Sequence, residues 1–167
     1  MQGAGSLLNQ WRRIIPLFFT ASLVVMADQL SKHWVKATLP LGRSLPEDGV
    51  LRITHVANTG IIFGLSTWQA FLPFFSALAI FLALFLYYRY FLFNRLLVGV
   101  ALGLVLGGGI GNLIDRLRFG YVTDFIDLRI YGDFSWPIFN LADSALVVGV
   151  GILIYLYLSS QRQADKS

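Results

Sequence analysis

The sequence contains no cysteine and only two histidines, His33 and His55. The first absence excludes a disulfide, a thiol nucleophile and a thiolate metal site, and it leaves the redox compartment unread. The second argues against a zinc hydrolase, because no His-Glu-x-x-His spacing occurs. Nor is there a Gly-x-Ser-x-Gly elbow to hold a serine nucleophile. Ser31 and Lys32 are adjacent, so on a helix they point apart and make no serine–lysine dyad. Charge is scarce as well: 13% of the 167 residues are charged, against 56% hydrophobic and 15% aromatic. With a mean hydropathy of +0.67, the chain has too little polar surface to cover a soluble globule and reads as an integral membrane protein. The net charge of +4 does not point to nucleic acid, because the basic residues gather at span ends instead of forming a stripe interleaved with aromatics.

A helix needs roughly 20 apolar residues to cross a hydrocarbon core about 30 Å thick. Four segments meet that need, and nothing is left for a second domain. The first runs uninterrupted only from Ile14 to Ala27, which by itself resembles the apolar region of a secretory signal peptide. The presence of Met1 argues against cleavage, and continuation through Leu30 to Trp34 makes the segment long enough to cross. Asp28 and Lys32 then stack one turn apart, on a face that should point into protein. The second span is expected over about Ala70–Leu92, with Ser66 or Thr67 as its cap and Pro73 in its first turn. The third runs from about Leu96 to Ile114 and the fourth from about Phe139 to Leu158. Met1 to Ser6 reads as a linker. The expected organisation is an N-terminal cytoplasmic segment 1–13, one membrane domain 14–158 with outer loops 39–69 and 115–138, and a cytoplasmic tail 159–167.

Orientation follows from the short basic clusters: Arg12 and Arg13, Arg89 and Arg95, and Arg162 and Lys166 fall on one side of an even number of spans, which makes both termini cytoplasmic. The acids are lopsided in the opposite sense. Asp28, Glu47, Asp48, Asp115, Asp124, Asp127, Asp133 and Asp143 lie outward and Asp165 inward. Trp11, Trp34, Trp68 and Trp136 all land at expected membrane interfaces.

Along the third span Gly99, Gly103, Gly107 and Gly111 repeat every four residues, a smooth stripe against which another helix can pack closely. Gly108 and Gly109 widen that groove and leave room for a substrate backbone. In the first outer loop, residues Val50 to Ala57 alternate as a strand does, and Tyr121 to Ile130 form a second strand-like run. The fold class is therefore a mainly α membrane protein, four transmembrane helices with a small β cradle on the periplasmic face.

Acids near hydrocarbon need partners or a task, since insertion of an aspartate at a helix centre costs about 2.5–3.5 kcal/mol. Asn140 and Asp143 are three residues apart at the start of the fourth helix and share a face, while Asp124 lies in the strand-like run leading toward them. If Asp124 and Asp143 meet, repulsion keeps both from ionising, and the pair holds one proton near neutral pH. One carboxylate can then deprotonate water while the other protonates a carbonyl oxygen or leaving amine. Asn112 and Arg116 are four apart on the third helix, with Asp115 adjacent. Arg116 suits a substrate carbonyl, a lipid headgroup or a pair with an aspartate, and Asn58 taken alone reads as a turn residue before Gly60.

The blocks Asp28-Gln29-Leu30-Ser31-Lys32, Asn58-Thr59-Gly60, Gly107 through Arg116, Val122-Thr123-Asp124-Phe125 and Phe139-Asn140-Leu141-Ala142-Asp143 closely resemble lipoprotein signal peptidase, the bacterial signal peptidase II. Their order and spacing cover the chain from first span to last. The resemblance implies an inner-membrane aspartyl endopeptidase that removes the signal peptide of a prolipoprotein, cutting before a diacylglyceryl-modified cysteine of the substrate. It implies Asp124 and Asp143 as the catalytic dyad. Asn58, Asn112, Arg116, Asn140 and Gly108 would position substrate or dyad, and Asp28, Lys32 and Asp115 would hold the framework. It implies no cofactor or metal, membrane lipid as surroundings, and inhibition by a globomycin-type depsipeptide. One departure stands out: Ile61 and Ile62 follow Gly60 where the family usually has small alanines, and this bulk bears on the shape of the pocket.

Two other readings compete. Paired intramembrane carboxylates also serve proton-coupled transporters, although four short spans show no internal repeat or broken-helix pair. In a noncatalytic scaffold the acids would only bind helices together.

Overall fold

The apolar segments and the two alternating runs become three long helices and a small antiparallel sheet that follows from their ends. The computed structural model describes residues 2–59, 96–131 and 134–164, with side chains for 14–59, 96–129 and 136–162. Among these, helix α1 covers Gln2–Thr38, α2 Leu96–Phe119 and α3 Leu141–Ala164. Strands β1 (Ser44–Leu45), β2 (Leu51–Asn58), β3 (Val122–Tyr131) and β4 (Phe134–Ser135) form one sheet in sequence order. Three stretches, Ile14–Thr38, Leu96–Phe119 and Leu141–Arg162, are long and apolar enough to cross a membrane. Even the shortest, at 1.5 Å per residue, reaches about 33 Å. The expected second span 70–92, its caps Ser66 and Thr67, Pro73, Trp68, the Gly60-Ile61-Ile62 turn and Asp133 lie outside the described residues.

Several boundaries differ from expectation; α1 runs on to Thr38 and α3 to Ala164, past the expected Trp34 and Leu158. α1 begins at Gln2, so the stretch read as a linker is helical. α2 runs five residues past Ile114, because its stop signal is Gly120 and not the first charge. Gly120 takes a left-handed φ of 77° and its N–H donates to the Arg116 carbonyl at 3.0 Å, closing the helix end. Asp115 and Arg116, placed by sequence at the edge of an outer loop, therefore ride on the last turns of a rigid helix.

α2 is the central helix, packed against both α1 and α3. Its glycine stripe does what small residues do between membrane helices. A Cβ on Gly107 would stand 2.7 Å from the Val24 Cβ and 2.8 Å from the Ala21 carbonyl, so the two backbones approach as no other residue would allow. Leu17, Ala21, Leu102, Val105 and Leu106 form the buried core of this contact. Phe18, Phe19, Leu23 and Met26 on α1 and Val147, Val148, Ile154 and Tyr155 on α3 are exposed, an apolar surface suited to lipid.

β2 and β3 pair antiparallel, with Arg52 opposite Asp127, Ile53 opposite Ile126, and then Val56 opposite Asp124. β2 thus carries one extra residue between Ile53 and Val56, a bulge that re-aims the strand end bearing Asn58. The segment before α3 is tied to the same strand: the Phe125 and Ile126 N–H groups both donate to the Phe139 carbonyl, at 3.0 and 2.8 Å. This fastens Asn140, the residue that caps α3, beside Asp124.

Candidate active site

α3 starts at a reciprocal cap. The Asn140 Oδ1 accepts from the Asp143 N–H at 3.0 Å, and the Asp143 Oδ2 accepts from the Asn140 N–H at 3.3 Å. This is the capping-box geometry, with the N-cap and third helical residues satisfying each other. Asp143 is therefore held by the helix it helps to start. The Ala142 N–H between them donates to Asp28 Oδ1 at 3.1 Å, so a carboxylate of α1 completes the capping of α3.

The same Asn140 reaches the other acid. Its Nδ2 donates to Asp124 Oδ1 at 2.6 Å and to Asn112 Oδ1 at 3.2 Å. Asn112 in turn donates from Nδ2 to Asp143 Oδ1 at 2.7 Å, and Asn58 donates from Nδ2 to Asp124 Oδ2 at 2.7 Å. Two acids nineteen residues apart in sequence are thus joined through one amide, and each carboxyl oxygen accepts an N–H. Asp124 is 2% exposed. Burial pushes its carboxyl up to about 6, the neighbouring Asp143 charge adds to that, and the Asn58 and Asn140 donors oppose it.

Beneath the acids lies a buried polar cluster. The Lys32 ammonium is 2.8 Å from Asp28 Oδ2 and 3.5 Å from Asp115 Oδ2, and it donates to Asn112 Oδ1 at 3.0 Å. Asp115 also accepts the Thr123 N–H at 2.9 Å, which locks the end of α2 to the start of β3. Asp28 and Lys32 face into protein as the sequence required, at 0% and 1% exposure. Arg116 is half-buried on α2, within electrostatic reach of Asp143, Asp124 and Asp115. Gly108 is a correction in detail: a Cβ there would collide with the Ala142 carbonyl oxygen and stand 2.8 Å from the Leu146 Cγ. The room expected there for a substrate backbone is taken by α3.

Sequence reasoning gave no role to Gln29, whose Nε2 donates to Asp28 Oδ2, the Gly111 carbonyl and Asp115 Oδ1 at 3.1–3.3 Å. Its signal was available, because Gln29 precedes Lys32 by three residues and shares its face. It also passed over a second buried cluster, farther along the sheet. There Arg52 donates from Nε and Nη2 to Asp127 Oδ2, and Thr54 donates to the same oxygen at 2.8 Å. Among the described residues no group of three His, Cys, Asp or Glu side chains is placed to hold a metal ion. The His55 Nδ1 instead lies 2.7 Å from the Leu39 carbonyl.

Comparison with known proteins gives the family. The family model described as signal peptidase (SPase) II matches residues 20–159. A lipoprotein signal peptidase of Moorella thermoacetica is 45% identical over 147 residues, 86% of this chain and 93% of its own. One from Dehalococcoides mccartyi is 40% identical over 162 residues, 93% of this chain and 97% of its own. A solved bacterial membrane enzyme superposes with a TM-score of 0.71 at 33% identity, covering 86% of this chain and 87% of its own.

Proposed function

Because the chain belongs to the signal peptidase II family, and is thereby a peptidase, we propose that it is an aspartyl endopeptidase that removes signal peptides from prolipoproteins. It cuts before the diacylglyceryl-modified cysteine, and Asp124 and Asp143 are its catalytic residues. The observation that carries this reading is the single Asn140 side chain that bonds to Asp124 and caps Asp143 at once. Structural acids bound to cations would need no such shared amide.

Asp124 holds the shared proton and Asp143 is the base. Asp143 takes a proton from water as the water oxygen attacks the scissile carbonyl carbon, and the Asp124 proton passes to the carbonyl oxygen. The tetrahedral intermediate collapses when Asp143 passes its proton to the leaving nitrogen and the C–N bond breaks, while Asp124 takes a proton from the hydroxyl that becomes the new carbonyl, so the pair again holds one proton, on Asp124. Asn58, Asn112 and Asn140 hold the acids in place, and Arg116 offers a fixed cation to substrate carbonyl or headgroup.

The enzyme spans the bacterial inner membrane four times, with 70–92 as the second crossing, both termini cytoplasmic and the sheet and dyad at the periplasmic face. The exposed apolar faces of α1 and α3 support membrane burial, and the shared position of the dyad and sheet supports an interfacial site. Burial of acyl chains, at about 0.8 kcal/mol per methylene, anchors the substrate, and a globomycin-type depsipeptide occupies the same site.

The decisive test offers a lipid-modified precursor to Asp124→Asn and Asp143→Asn, each checked for folding. Cleavage should fall about 10²–10⁴-fold in both, and full cleavage by either rejects the dyad. An unlipidated precursor should turn over far more slowly than the lipidated one. A Ser167→Cys label should react only from the cytoplasmic side, and labelling from outside alone contradicts the topology.

A further inference from the structure

We propose that Lys32 is a positioning residue for the hydrolytic site, and not only a framework cation. Its ammonium fixes the direction of the Asn112 and Asn140 amides and so keeps the shared proton off Asp143. The inference rests on the dyad reading above.

An ammonium has three N–H donors and no acceptor. Two of the three acids and amides around Lys32, Asp28 and Asp115, are enough to balance its charge. The third contact, 3.0 Å to Asn112 Oδ1, does something else. Only an oxygen can face a donor-only group, so the Asn112 Nδ2 must turn the other way, to Asp143 Oδ1 at 2.7 Å. Asn140 must then present its own Nδ2 to Asn112 Oδ1 and to Asp124 Oδ1, which leaves its Oδ1 for the Asp143 N–H. Donor direction thus passes from the cation through two amides to both acids.

A flipped Asn112 would present its oxygen to Asp143, an arrangement that suits only a protonated Asp143. Lys32 opposes that flip, because it would set an NH₂ against an ammonium. The charged groups facing the pair from each described element are few. α1 supplies Lys32 and Asp28, α2 supplies Asp115 and Arg116, and β2 contributes only the neutral Asn58. The Lys32 charge also acts directly on Asp124, favouring its ionised form, so removing it makes the pair hold its proton to higher pH.

The test compares full-length Lys32→Met and the charge-balanced Lys32→Met/Asp28→Asn with Arg52→Met, which removes a buried cation away from the dyad. Folded protein is assayed for kcat, KM and the pH profile of kcat/KM on lipid-modified precursor. In both Lys32 variants kcat should fall about tenfold to a hundredfold with little change in KM, and the alkaline limb should move to higher pH. The double variant carries the test if the single one fails to fold. Arg52→Met should leave the limb in place. Wild-type kcat and an unmoved limb in folded Lys32 variants overturn the proposal, as does an equal shift in Arg52→Met. Asp124→Asn and Asp143→Asn, run alongside, separate the two readings: wild-type cleavage by either removes the dyad itself, whatever Lys32 does.

Discussion

Asp124 and Asp127 stand three residues apart on β3, both 2% exposed, and their surroundings drive them in opposite directions. At Asp124 burial dominates, and the groups in contact are neutral amides, so the carboxyl is raised to about 6. At Asp127 burial also pushes upward. There the Arg52 and Thr54 hydrogen bonds and the Arg52 charge outweigh it, and the carboxyl is held below its ordinary value. A cation in direct contact makes an acid part of the scaffold. At Asp124 the hydrogen-bond donors are the Asn58 and Asn140 amides, and the Lys32 ammonium is bonded to Asn112, the amide that in turn donates to Asp143. The two clusters share one strand, and on the proposed mechanism one serves chemistry and the other support.

The comparison breaks most visibly if the wrong acid proves essential. Asp124→Asn should lose cleavage by about 10²–10⁴-fold with the fold intact, whereas folded Asp127→Asn should still cleave. Comparable losses in both would erase the distinction. Next in size is stability. Arg52→Met strips buried Asp127 of its contact cation, leaving it Thr54 and the exposed Arg129 at 3.9 Å, and should cost about 3–5 kcal/mol, read as a lower unfolding temperature in detergent; an unchanged temperature would mean the pair contributes nothing.

Gly111→Ala places a Cβ 2.6 Å from Asp28 Oδ2, the carboxylate that caps α3, and should cost about 1–3 kcal/mol together with activity. Gly151→Ala, with open space around it, should change neither by a measurable amount. Equal effects at the two glycines would show that the Asp28 contact is slack.

The smallest effect is in pH dependence. Between the ordinary carboxylate value of 3.8 and about 6, folded Asp124 binds a proton that the unfolded chain has released. Its contribution to stability is therefore full at low pH and fades as pH rises through 6. Asp127 works in reverse, stabilising above 3.8 and losing that contribution only as pH falls through its lower folded value. Unfolding temperatures of Asp124→Asn should accordingly show a flatter slope between pH 4 and 6 than the wild type.

What the sequence made legible was polarity in the wrong place. Asp28 and Lys32 in an apolar run had to face protein, a four-residue glycine repeat had to meet a helix, and alternation in 50–57 and 121–130 had to be strand. Asn140 and Asp143 had to share a face for the same geometric reason. The rest depends on contacts between distant residues. Nothing local pairs Arg52 with Asp127, seventy-five positions away, because that match is set by strand register and a bulge. The end of α2 was misjudged because hydropathy stops at Asp115 while the backbone signal, Gly120, comes later. Gly108 was read as space because a glycine records only that something comes close, not what.

The most direct measurement is an infrared titration of carboxyl protonation in the full chain, taken as the difference between wild type and Asp124→Asn. One protonated carboxyl should persist above the ordinary range and disappear near pH 6, and it should be missing from the variant. Ionisation of Asp124 near pH 4, with no carboxyl retained beyond it, would contradict a shared proton and with it the aspartyl mechanism.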